Sequence, residues 1–152
     1  MMIRELTPEE LPKLIEVGTA FFVEAKLKGQ FNPDHFVKVW GHLIDSRKAM
    51  ILVPDASDDV GILAFIGGTV AENLLSKDIE ATEAFWYVKP EARKTGIGIR
   101  LLQEFEARAR ARGALRCWMA NLVDLNDEQM VKLYTKLGYV LKEKFYQKAL
   151  WS

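Results

Sequence analysis

Apolar residues follow two rhythms along this chain. Over 2–6, 49–53, 60–70, 81–89, 114–121 and 139–150 they alternate with polar residues or run together, and these stretches read as strands. Elsewhere they return every three or four residues. Leu11, Leu14 and Ile15 form one such stripe, and Phe36, Val37, Trp40, Leu43 and Ile44 a second. Leu101, Leu102, Phe105 and Ala109 form a third, and Met130, Leu133, Tyr134 and Leu137 a fourth. Each stripe is the buried face of a helix. The predicted order is β-α-α-β-β-β-α-β-α-β.

Local signals sharpen the boundaries. Thr7 is a capping hydroxyl, Pro8 suits a first helical position and Glu10 completes a capping box, so a helix is expected to start there. Pro12 is awkward in it, because it removes a backbone donor just past the first turn. Asn32-Pro33-Asp34 starts the second helix. The polar run 55–59 reads as a hairpin turn, and Gly67-Gly68 inside a strand points to a bulge or a close backbone approach. Gly113 ends the third helix, Asn126 caps the fourth and Gly138 closes it.

The densest chemistry lies in Val88-Lys89-Pro90-Glu91-Ala92-Arg93-Lys94-Thr95-Gly96-Ile97-Gly98, after the apolar run Ala84-Phe85-Trp86-Tyr87. It reads as strand, basic turn, glycine pair, helix. Amides at a helix start carry partial positive charge, and glycines let a ligand approach them. A bound pyrophosphate suits such a turn. A dinucleotide fingerprint would need glycine where Leu101 stands, and a phosphate-binding Walker loop would need Lys-Ser/Thr where Ile99-Arg100 stand.

The order Val-x-Pro followed by Arg-x-x-Gly-x-Gly resembles the acyl-coenzyme A loop of the GNAT superfamily of N-acetyltransferases. Leu133-Tyr134-Thr135-Lys136-Leu137-Gly138-Tyr139 is similar to that family's Leu-Tyr-x-Lys-x-Gly-Phe/Tyr segment. The two motifs lie in the family's order, and the resemblance covers residues 80–140. It implies a single domain over 1–152, with a mixed α/β fold. The sheet would be mostly antiparallel, with helices on both faces and a splayed strand pair forming the ligand cleft. The activity implied is transfer of an acetyl group from acetyl-coenzyme A directly to a primary amine in a ternary complex. A non-catalytic module that binds acyl-coenzyme A is the alternative.

The resemblance also assigns roles. Amides of Arg93, Lys94, Thr95, Gly96, Ile97 and Gly98 would hold the diphosphate, with Arg93 and Lys94 adding charge. Main-chain groups around Tyr87 and Val88 would pair with the pantetheine arm. Tyr134 would protonate the departing thiolate; by spacing alone it reads as a core tyrosine. A glutamate on the strand before the loop would serve as base, and Glu83 is preferred to Glu80. Alternation puts Glu83 on one face with Phe85 and Tyr87, and Glu80 on the other with Ala84 and Trp86. The family's asparagine, seven residues before the tyrosine, is replaced by Asp127, so Asn126 or Asn121 would make its contact. The acceptor is a small-molecule or peptide amine. Asp78, Glu80 and Glu83 suggest a negative cleft end and hence a cationic acceptor.

Composition narrows the remaining classes. The formal net charge is zero over 152 residues, which argues against nonspecific nucleic-acid binding. A lone Cys117 excludes an internal disulfide framework and fits a reducing, cytoplasmic setting. No apolar run has the length of a membrane span. His35 and His42 share a helix face without a third ligand, so no metal site is expected. A homodimer is compatible with these features.

Overall fold

A computed structural model describes residues 2–56 and 60–151. Of the expected 55–59 turn, residues 57–59 lie outside the described residues. The chain divides into two compact units, 1–120 and 121–152.

The first unit carries β1 (Ile3–Glu5), α1 (Ile15–Glu24), α2 (Pro33–Asp45), β2 (Ala49–Pro54), β3 (Ala64–Glu72), β4 (Ile79–Val88), α3 (Ile97–Ala111) and β5 (Arg116–Trp118). Among the described residues the strands form one five-stranded mixed sheet in sequence order. Neighbours are antiparallel except β4 and β5, which are parallel. The fold is mixed α/β, as expected.

The entry into α1 differs from the expectation. Pro8–Leu14 is a 3-10 helix, and regular α-helix begins only at Ile15. In an α-helix the Pro12 ring would collide with the carbonyl four residues back, and Pro12 has no N–H to donate. The Glu10 carboxylate still reaches back to the Thr7 N–H (3.1 Å) and accepts two hydrogen bonds from Arg4 (2.8 and 2.7 Å). At α2, the Asn32 side chain accepts the His35 N–H (3.0 Å), the cap its sequence promises.

The sheet buries both faces. Phe65 and Tyr87 join Leu6, Leu11, Leu14, Val17, Ile51 and Val53 beneath α1 and α2. On the opposite face Leu101, Leu102, Phe105 and Ala109 of α3 are buried. The glycine pair in β3 divides its work between these layers. A Cβ on Gly67 would fall 2.2 Å from the Phe85 ring, and one on Gly68 2.7 Å from Phe105 Cζ. Gly67 therefore seats Phe85 flat on one face, and Gly68 admits Phe105 on the other.

The bulge sits opposite that pair. Gly67 registers with Phe85 but Gly68 with Glu83, so Ala84 is the extra residue. This reverses the expected grouping of side chains. Phe85 and Tyr87 share their face with Glu80 and Thr82, which register with Ala71 and Thr69. Glu83 belongs to the row of Gly68, Trp86 and Val88, which faces α3.

The second unit contains α4 (Asp127–Lys136), whose inward stripe of Met130, Leu133, Tyr134 and Leu137 follows the expectation. Asn126 stands at the N-cap position but in the left-handed region (φ 49°), and its side chain makes no capping bond. Asn121 Nδ2 donates instead to the Asp127 carboxylate. The strand expected over 139–150 does not form. A lone extended segment needs a neighbour to complete its hydrogen bonds, and this unit holds no other strand among its described residues. Strand β5 is likewise shorter than expected, because its ladder with β4 covers only Glu80, Ala81 and Thr82.

Candidate active site

Strand β4 leaves its parallel neighbour at Thr82, and the bulge at Ala84 follows at once. From there to Val88 the strand is paired to β3 on one side, and no ladder joins it to β5 among the described residues. Lys89 N–H donates to the Leu63 carbonyl (2.8 Å). Antiparallel pairs alternate, so the main-chain groups of Phe85 and Tyr87 turn towards β3, and those of Trp86 and Val88 towards the open edge. The expected main-chain contact at Val88 thus has the right direction. Tyr87 turns the other way, and Trp86, which the sequence reading passed over, shares the edge.

The loop after β4 is braced by its own groups. Thr95 N–H donates to the Ala92 carbonyl (3.2 Å), and so does its hydroxyl (2.6 Å). Gly96 then takes φ +80°, a conformation that costs any residue with a Cβ about 1–2 kcal/mol, and α3 begins at Ile97. A Cβ at Gly96 would meet no heavy atom within 4 Å, so this side of the turn is open. A Cβ at Gly98 would lie 3.1 Å from Val88 Cγ2. Gly98 therefore lets the first turn of α3 settle on the end of β4. The first-turn amides have no carbonyl within the helix to bond, which leaves partial positive charge at this end of α3.

Charge in the loop is lower than its sequence suggests. Arg93 donates from Nε to the Val88 carbonyl (2.9 Å) and from Nη2 to Glu24 Oε1 (2.5 Å). Its guanidinium lies 5.7 Å from the Tyr87 ring centre. Tyr87 completes the group by donating its phenol proton to Glu24 Oε2 (2.7 Å). Burial and this carboxylate push the Tyr87 phenol up to about 12. Lys94, exposed on the loop, keeps its charge available to an anion. Glu24 was not singled out from sequence, and no local signal marks it.

The two glutamates of β4 have opposite surroundings. Glu80 accepts from Asn73 Nδ2 (2.6 Å), Arg116 Nε (2.8 Å) and Trp118 Nε1 (3.1 Å), which hold its carboxyl down at about 2. Arg116 also donates to Asp78 (2.5 Å). One arginine thus offsets one of the two negative charges carried by Asp78 and Glu80 and ties both carboxylates in place. Burial alone pushes the Glu83 carboxyl up to about 7. Such a group can give up or take a proton near neutrality.

A cavity of about 260 Å³ lies between α1 and α2, walled by aromatic rings. Tyr134 is buried in the second unit, its ring 5.4 Å from that of Tyr139. Among the described residues, no group of three His, Cys, Asp or Glu side chains could hold a metal ion.

No curated protein matches the chain. Solved structures do. A crystal structure of a probable acetyltransferase is 23% identical, covers 99% of this chain and 97% of its own, and superposes with a TM-score of 0.74. A transcriptional regulator from Bacillus halodurans C-125 is 18% identical over 98% of this chain and 99% of its own, with a TM-score of 0.79. The ribosomal-protein-alanine N-acetyltransferase of Brucella melitensis biovar Abortus 2308 is 16% identical over 99% and 100%, with a TM-score of 0.73. These likenesses establish the fold. The sequence model of the Acetyltransferase (GNAT) family matches residues 14–139, a span that contains the open-edged strand, its amide loop and both sequence motifs. The chain belongs to the GNAT acetyltransferase family.

Proposed function

We propose that this protein transfers the acetyl group of acetyl-coenzyme A directly to a primary amine. The observation that carries this reading is the continuity of β4. One strand supplies outward-facing main-chain groups at Trp86 and the N–H of Val88, whose carbonyl is taken by Arg93, with a carboxyl near neutral pKa at Glu83 and the entry to an amide-rich helix start.

Each requirement of acyl transfer then has a group to meet it. Of the loop amides from 93 to 98, those of Arg93, Thr95 and Ile97 are engaged within the loop, so the amides of Lys94, Gly96 and Gly98, with the Lys94 side chain, hold the diphosphate. The edge amide of Val88 orients the pantetheine arm, in the manner of an added strand. Acetyl-coenzyme A supplies the activated thioester. Glu83 accepts the proton released by the attacking amine, directly or through a water. Tyr134 carries the role that the family resemblance gives it, donating a proton to the thiolate. Asn121 and Asn126 remain candidates for polar contact with the coenzyme.

Release of free thiol from acetyl-coenzyme A, followed over a panel of amines, tests the reading. Amine-dependent release that falls in Glu83→Gln supports it. Tight coenzyme A binding with no amine-dependent release, whatever the acceptor, would favour a binding module instead.

A further inference from the structure

Arg93 occupies a main-chain group that an added strand would use. The Val88 carbonyl points to the edge of β4 that no ladder joins to β5 among the described residues. Arg93 Nε donates to it at 2.9 Å. The same guanidinium donates from Nη2 to Glu24 Oε1 (2.5 Å), and Glu24 Oε2 accepts from the Tyr87 phenol (2.7 Å). These groups close a ring that leaves β4 at Tyr87, crosses α1 and the loop, and returns to β4 at Val88.

The members of this ring differ in freedom. Tyr87 is buried, its ring 5.6 Å from that of Phe21 in α1 and 6.0 Å from that of Phe65 in β3. Its phenol therefore fixes where the Glu24 carboxylate stands. Arg93 and Glu24 are each about two-fifths exposed, and an ion pair so placed is a weak restraint. Arg93 is thus the member that can leave, and Glu24 is what it leaves against.

We infer that Glu24 is a positioning residue for coenzyme binding: it holds Arg93 on the Val88 carbonyl as a latch, and the pantetheine arm takes that carbonyl only by displacing Arg93. The inference rests on the coenzyme site of the proposed function and deepens it. Pantetheine carries amide N–H groups, which replace the guanidinium as donors when the arm lies along the strand. The exchange keeps the carbonyl satisfied, as an edge group withdrawn from water requires. Its cost is the restraint that Glu24 and Tyr87 place on the guanidinium.

Two probes separate the arm from the rest of the coenzyme. Coenzyme A carries it, and 3′-phospho-ADP is the same molecule without it. Calorimetry with both, on wild type, Glu24→Gln, Arg93→Met and the double variant, gives each protein a ratio of the two affinities. A change in loop charge acts on both probes and cancels in the ratio, whereas freeing the carbonyl acts on the arm alone. Gln is close in shape to Glu and still accepts from the Tyr87 phenol, so the fold is kept. The ratio should rise about threefold in Glu24→Gln in favour of coenzyme A, a size set by the modest worth of a half-exposed ion pair. It should rise at least as far in Arg93→Met. In the double variant Glu24→Gln should add nothing, because Glu24 acts through Arg93. In wild type, arginine NMR should show the Arg93 Nε–H signal shifting with coenzyme A and staying in place with 3′-phospho-ADP.

The failures are distinguishable. A ratio that falls or stays level in Glu24→Gln, or an Nε–H signal unmoved by coenzyme A, overturns the latch while coenzyme binding stands. A further rise in the double variant over Arg93→Met also overturns it, since Glu24 would then act without Arg93. If neither probe binds wild type, the coenzyme site falls and the latch with it. If ratios and signal behave as expected but no amine is acetylated, the latch stands and the transferase reading falls.

Discussion

Glu24, at the end of α1, holds Arg93 of the loop across 69 residues of sequence at 2.5 Å, and accepts a hydrogen bond from the Tyr87 phenol with its other oxygen. The helix that walls the aromatic cavity is thereby tied to the loop proposed to hold the coenzyme. Both partners of the ion pair are near two-fifths exposed, so the pair is worth much less than a buried one. The shared geometry with Tyr87 still predicts coupling. Glu24→Ala and Arg93→Ala should each lower stability by about 1 kcal/mol, and the double variant by less than their sum. Urea unfolding of the four proteins measures this, and strict additivity would contradict the arrangement.

Gly96 separates backbone strain from ligand contact. Gly96→Ala introduces a Cβ that touches nothing but occupies a left-handed position, so a stability loss of about 1–2 kcal/mol is expected. Gly96→Glu adds bulk and negative charge on the open side, and coenzyme A affinity should fall more than tenfold beyond the alanine variant. Calorimetry on both, beside thermal melts, tells the two effects apart. Equal affinities in the two variants would exclude the diphosphate from this turn.

Glu83 makes two pH predictions with one sign. Its carboxyl titrates near 7 in the folded protein against an ordinary value of 4.5. As a base it works when deprotonated, so kcat/KM should rise as pH passes through about 7, and Glu83→Gln should flatten this rise. For stability, the folded state holds the proton more tightly than the unfolded state. Stability from this group is therefore full below about 4.5 and is lost as pH climbs through about 7. Glu83→Gln should melt higher than wild type at pH 8, with the gap closing towards pH 4.5. A pH–rate profile identical in the two proteins would remove Glu83 from the reaction.

The opposite sign belongs to Glu10 and Glu80. Hydrogen bonds from Arg4 hold Glu10 at about 2, and those from Asn73, Arg116 and Trp118 hold Glu80 at about 2. Their stabilisation is present above 4.5 and is lost as pH falls towards 2. Arg4→Met should therefore narrow the difference in melting temperature between pH 6 and pH 3. An unchanged difference would mean that Glu10 takes no part in acid unfolding.

Tyr134→Phe isolates one hydroxyl. If that hydroxyl protonates the leaving thiolate, kcat falls by about 10²–10⁴-fold while affinity for acetyl-coenzyme A is kept. A fall in affinity with kcat unchanged would leave Tyr134 as a core side chain of α4.

What the sequence made legible was local. The cap at Asn32, the glycine turn at Gly96 and the stripe of α4 each depend on residues a few positions apart, and each was read directly. The entry to α1 departs from the expectation because a 3-10 turn absorbs Pro12, which the interior of a regular α-helix would not. The site's electrostatics depended on distance in sequence. Arg116 lies 36 residues after Glu80 and 38 after Asp78, and Glu24 lies 69 before Arg93, so no window on the chain reveals either pairing. The faces of β4 were misassigned for a narrower reason. Alternation counts residues, and one unpaired residue inverts the count for everything before it. The expected last strand failed in the same spirit: its pattern was present, but a pattern cannot supply a neighbour.

Ala84 distinguishes substitution from deletion. Removing it would leave Glu83 opposite Gly68 and Phe85 opposite Gly67, so every side chain of β4 would keep its present layer. What would vanish is the bend, and with it the reason for β4 and β5 to diverge after Thr82. A chain one residue shorter could thus fold with its core intact and yet close its cleft into continuous sheet. In this architecture the parting of two strands depends on chain length at one position, and it can be gained or lost without altering any other side chain.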